Sequence, residues 1–222
     1  MKDRLQKSWI KTTVENLTNP GAEPDTLYTR YTFLKSDLMI SFYPAWDTYP
    51  QTWSVDGTNL TIGFDTYTIE ELTDTTLTIM LPAFRRVRFV AEDYVSSKKE
   101  YLDSIGTYNG KPLYRANNFI TPRYTKKEIF RHRIQKNVEG YHIKNASYFK
   151  ATFVVTEEGK VENVKVVNSI SEGFDREIVN QLLSTSKRWK PAYFDSKPIQ
   201  TEMFYDIKYL KSVTPYSSGT LQ

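Results

Sequence analysis

The sequence predicts two domains: an N-terminal all-β domain folded as a small antiparallel barrel, and a C-terminal α+β domain with the order α-β-β-α-β. Three observations carry the prediction. Apolar residues make up only 39% of the 222 positions, and 16 Tyr, 12 Phe and 4 Trp shift that content into aromatics. With many Thr and Val, this is the composition of half-buried sheets. Short runs of period two fill residues 1–96, whereas helical spacing first enters after residue 123. Charge divides in the same way: residues 1–94 carry 9 Lys+Arg against 13 Asp+Glu and residues 95–222 carry 21 against 13, nets of −4 and +8 within the overall +4.

In the first domain, 1–96, the run from Thr26 to Phe33 alternates, with Leu27, Thr29, Tyr31 and Phe33 on one face. A Lys-Ser-Asp turn leads to a second run, Leu38 to Tyr43. In QTWSVDGTNLTIGF, Asp56-Gly57 is a hairpin signal. Thr66 to Ile69 and Thr76 to Met80 flank another tight turn, and Arg85 to Val90 alternates basic with apolar residues. A meander of about eight such strands closes into a barrel, which removes its exposed edges. The order of features is an early Trp9, then YTFLKSDLMISF, TWSVDGTNLTI and YTIEELTDTTLTIML. It resembles the lipocalin-like domains of Bacteroidetes proteins over about residues 5–94. Two readings of the inward aromatics Trp9, Tyr31, Phe33, Phe42 and Trp53 stand: they line a pocket for a small apolar ligand, or they fill a short barrel.

Residues 97–122 lack a sustained period and read as a connector, with Tyr108 to Pro112 as a turn. The second domain spans 123–211, followed by a flexible tail at 212–222. Thr125 is placed to cap a helix over KKEIFRHRIQKNV, whose Ile129, Phe130, Ile134 and Val138 fall at helical spacing. Strands from Phe149 to Val155 and from Val161 to Val167 follow, joined at Gly159, which supplies a positive-φ turn position. Phe174, Ile178, Leu182 and Trp189 then recur at spacings of four, four and seven, one buried helix stripe. Asp175 and Glu177 at its start and Lys187 and Arg188 at its end suit the helix dipole, and Pro191 stops it. A last strand runs from Ile199 to Leu210.

The passages FVVTEEGKVENVKVVNS and FDREIVNQLLSTSKRWKPAYFDSKPIQTEMFYDIKY resemble the TonB C-terminal domain family over about residues 120–210. The matching positions are Phe153, Gly159, Val161, Val164, Val166, Ser169, Phe174, Asp175, Trp189, Pro191, Lys197 and Pro198. The resemblance implies an open-faced sheet packed on helices that binds an outer-membrane or periplasmic protein by strand addition. Energy transducers of that family also carry a membrane helix and a Pro-rich spacer; in this chain a barrel stands in their place.

The function expected is therefore non-enzymatic binding in the periplasm or at the outer membrane after removal of a leader, or in the cytoplasm if no leader exists. A carrier of a small apolar ligand and a divergent TonB-type transducer component are the alternatives. The partner strand would pair with the last strand, through Thr201, Met203, Phe204, Tyr205 and Tyr209, unless that strand is internal. Lys126, Lys127, Arg131, Arg133 and Lys136 form either an anionic-surface patch or a solvated helix face. No catalytic residue, metal site or cofactor is assigned. Cys is absent, His132 and His142 are the only histidines, and adjacent pairs such as Glu70-Glu71 and Glu157-Glu158 point apart in strands. Nucleic-acid binding is disfavoured by the acidic first half, and no apolar run approaches the roughly 20 residues of a transmembrane segment.

Overall fold

The computed structural model describes residues 1–19, 21–22, 28–42, 48–126, 128–138, 141 and 147–209, with Phe42 and Tyr209 placed by their backbones alone. The fold is mostly β with few helices. The described chain divides into two compact units. One comprises Met1–Leu102, 117–121 and 193–197; the other comprises 103–116, 122–192 and 198 onward.

In the first unit a short helix α1 (Lys2–Leu5) precedes eight strands: β1 (Ser8–Asn16), β2 (Thr29–Phe33), β3 (Asp37–Phe42), β4 (Thr48–Asp56), β5 (Asn59–Ile62), β6 (Asp65–Leu72), β7 (Thr76–Leu81) and β8 (Arg85–Ala91). Each pairs antiparallel with the next, and β8 returns to β1, which closes the barrel. A short helix, α2 (Glu92–Val95), follows. The alternation survives two irregularities. A bulge between Ile69 and Glu71 shifts the parity of β6, so Tyr67, Ile69 and Leu72 all join the interior. The break between Lys11 and Thr13 does the same for Trp9 and Val14 on β1.

The second unit has a sheet in the order β13-β12-β16-β10-β9. Its strands are β9 (Asp103–Tyr108), β10 (Lys111–Arg115), β12 (Ser147–Val155), β13 (Val161–Asn168) and β16 (Lys197–Tyr209). A two-stranded ladder joins β11 (Arg123–Tyr124) to β14 (Trp189–Lys190); β15 (Ala192–Phe194) lies at the division, with its last two residues in the first unit. Its helices are α3 (Phe130–Gln135) and α4 (Glu172–Ser184). Ser171 caps α4 by accepting the Phe174 N–H, and Phe174, Ile178 and Leu182 are its buried stripe.

Three expectations change. The 97–122 connector carries the β9–β10 hairpin, whose turn residues Asn109 and Gly110 both have positive φ, as a two-residue type I′ turn requires. Thr125 caps no helix. Its N–H and its hydroxyl both donate to Arg188 O, at 2.9 and 2.8 Å, because the β11–β14 ladder holds this segment extended and delays α3 to Phe130. Trp189 lies off the α4 stripe, on β14, since α4 ends at Ser184 and Lys187 turns back at φ 63°. The tail at 212–222 lies outside the described residues.

Trp189 is nonetheless buried. Its indole N–H donates to Thr185 Oγ1 at 3.1 Å, and its ring meets those of Tyr124, Phe130 and Phe153 at 5.4, 5.3 and 5.8 Å. Its carbonyl lies on the β12–β13 turn, where a Cβ built on Gly159 would stand 2.1 Å from Trp189 O at a φ of +72°. Gly110 has a similar φ of +74° but open space around it. Gly110→Ala is expected to cost about 1–2 kcal/mol from left-handed strain alone. Gly159→Ala should cost clearly more, read as a lower urea midpoint for the second unit. Equal losses would show that the turn relieves the clash by shifting.

Candidate functional site

The last strand β16 is internal where the sequence expectation places its first contact. Thr201 is fully buried, opposite Val155 of β12 on one side and Tyr114 of β10 on the other, so no incoming strand can pair there. β10 engages only Gln200, Thr201 and Glu202, and its last bond is Ala116 N–H to Glu202 O at 2.9 Å. Gln200 secures this junction by donating from Nε2 to Tyr108 O and Lys111 O at 2.8 and 2.9 Å. β12, by contrast, runs alongside β16 from Thr201 to Tyr209.

Backbone groups along a strand point to alternate edges. Glu202 points to β10, so Phe204, Asp206 and Lys208 present their N–H and C=O groups on the same edge, beyond the last residue that β10 reaches. Among the described residues no strand pairs with them there. Met203, Tyr205 and Ile207 turn their backbones to β12 and bury their side chains, with Tyr205 against Phe130 at 5.9 Å. The candidate edge is therefore Phe204 to Lys208. Of the expected residues, it retains Phe204 for backbone contact and loses Thr201, while Met203 and Tyr205 serve the core; Tyr209 pairs with Ser147 of β12, its backbone turned away from the edge. On the half-exposed sheet face, Lys150 lies over the Phe204 ring at 5.3 Å and Lys208 over Tyr148 at 5.9 Å.

The barrel aromatics pack on one another. Phe33 meets Trp53 at 4.9 Å and Tyr31 meets Phe89 at 5.0 Å. Trp9 is fully buried, its indole N–H donating to Leu5 O at 3.1 Å, and α1 delivers Leu5 into the same cluster. The Phe42 side chain lies outside the described residues.

The basic set differs in exposure from residue to residue. Lys126 and Lys136 are exposed, and Lys127 lies outside the described residues. Arg133 turns to Glu128 and to Ser184 Oγ, both at 3.1 Å, and Arg131 is half-buried. Glu128 also accepts from the Tyr124 hydroxyl and from Arg188, each at 2.7 Å. The Tyr124 hydroxyl first, and then Arg133 and Arg188, hold the Glu128 carboxyl below the usual carboxylate range. A depressed carboxylate stabilises the fold above its ordinary pKa, and the contribution fades as pH falls through the depressed value. Glu128→Gln should therefore lower the Tm at pH 7, with the gap to wild type closing below about pH 4. A gap unchanged between pH 7 and 3 would count against the charge.

The sequence reading missed Arg30, a buried cation on β2, because an Arg at an outward barrel position reads as solvated. Among the described residues no group of three or more His, Asp and Glu side chains is placed to hold a metal ion, and no helix is long and apolar enough to cross a membrane. No family model, curated protein or solved structure matches this chain.

Proposed function

We propose that this chain is a non-enzymatic binding protein of the cell envelope, periplasmic or attached to the outer membrane, whose second unit resembles the TonB C-terminal domain and takes a protein partner by strand addition. The observation that carries the reading is the edge from Phe204 to Lys208, left beside a 13-residue strand by a neighbour of five residues. The order α3, β12, β13, α4, β16 supports the resemblance, as do the turn at Gly159 and the buried Trp189. In this reading the barrel is a packed structural unit. The carrier alternative draws no support from rings that contact each other, and no observation favours a transducer role.

Hydrogen exchange of the full chain tests the edge. In the protein alone, the amides of Phe204, Asp206 and Lys208 should exchange fast and those of Met203, Tyr205 and Ile207 slowly. A photo-crosslinker at Lys208, used in cells of the source organism, should capture a partner through an extended segment, and that segment as a peptide should slow the three fast amides. Asp206→Pro removes one edge N–H, so it should abolish this protection while leaving the fold intact. Slow exchange at all six amides in the free protein, or a peptide that protects none of them, would sink the proposal.

A further inference from the structure

Arg30 projects from the outer side of the barrel, between the inward Tyr31 and the neighbouring Thr29, yet it is only 4% exposed. Among the described residues it pairs with Glu92 of α2, with Oε1 3.1 Å from Nε. That approach lies outside hydrogen-bond alignment, and both Nε and Nη2 are buried without a hydrogen-bond partner among the described residues. These two N–H groups share one edge of the guanidinium, the fork that ordinarily receives an anion. Burial pushes the Arg30 pKa down to about 10, so the group stays charged at neutral pH. A buried donor left unmade costs about 1–3 kcal/mol, and more when charged.

Beside Arg30 is a small pocket lined by Ile10, Tyr28, Thr29, Arg30, Ser41 and Asn118. All of these belong to the first unit. Among the described residues the lining offers guanidinium, amide and hydroxyl donors and contains no carboxylate. Its room is that of a single small guest, about the size of one water or one halide ion. We infer that this pocket is a binding site for a small inorganic monoanion of halide size, held by Arg30 with Ser41 and Asn118. A neutral water can accept from both N–H groups of the fork, but it brings no charge to the buried guanidinium, whereas an anion accepts from the same donors and matches their charge.

Bromide is the probe, because it is isosteric enough with chloride and scatters anomalously. Crystals of the full chain grown in sodium bromide at tens of millimolar should give an anomalous peak in hydrogen-bonding range of Arg30 Nη2. In solution, chloride or bromide should raise the Tm relative to gluconate at the same ionic strength, and Ser41→Ala should reduce that rise. Arg30→Met should remove it, but the wild-type peak decides the matter even if this variant fails to fold. An ordered water without anomalous signal in the pocket, or a bromide peak only at molar concentration, would overturn the assignment. So would halide stabilisation equal to that of gluconate.

Discussion

The second unit depends on one close approach, the Trp189 carbonyl lying against Gly159. No side chain fits at that turn, so the backbone of β14 can settle on the β12–β13 hairpin. Two hydrogen bonds then fasten it: Lys187 N–H to Gly159 O at 2.8 Å, and Val161 N–H to Ser186 Oγ at 3.1 Å. With its backbone held there, the Trp189 ring enters the core among Tyr124, Phe130 and Phe153, and Phe130 carries the contact on to Tyr205 beneath β16. One small residue thus links the hairpin, both helices' ends and the strand that carries the candidate edge. Fully burying one such aromatic contributes about 1.5–3 kcal/mol, so the cluster outweighs any single surface ion pair nearby.

The barrel is legible in its sequence because strands such as β6, β7 and β8 alternate apolar with polar residues, although Ile10 and Arg30 are buried on the outer side. Tyr67, Ile69, Leu77, Ile79, Val87 and Phe89 alternate with polar neighbours, and Asp56-Gly57 marks its hairpin. The β9–β10 hairpin was not legible, for the converse reason. It is half-exposed throughout, with Leu113 its one buried side chain, and it is held by backbone pairing and by Gln200 from far along the chain. Such long-range bonds leave no local period. Trp189 misled for a third reason: its seven-residue spacing from Leu182 continues the helix stripe arithmetically, but Thr185 and Lys187 have already turned the chain. The tertiary partner decided its place, and helical spacing merely coincided with it.

Strand length sets the candidate edge. β16 is long enough to serve β12 over nine positions, while β10 stops after Arg115. The charges there do not fill the edge. Asp206 stands in register with Lys150 across the ladder, and Lys208 with Tyr148, so their side chains belong to the sheet face and leave the in-plane N–H and C=O groups clear. Inward-pointing charge on an edge would discourage association, whereas face charge screened by cross-strand neighbours does so less.

The size of this edge bounds what it can do. Three residues facing one way offer at most about six main-chain hydrogen bonds, each worth a net of roughly 0.5–1.5 kcal/mol. Association costs about 4–15 kcal/mol in lost freedom and ordering. Main-chain pairing alone therefore gives at best a weak complex, and the remaining affinity has to come from side chains of the added strand. Those alternate between the two faces: one set would meet Phe204 and its Lys150 neighbour, the other the side on which Met203, Tyr205 and Ile207 are buried. A partner segment with an apolar residue at every second position fits both demands, and a uniformly polar strand fits neither. Selectivity at this edge would then follow from the alternation of the partner's sequence, which backbone hydrogen bonds cannot read.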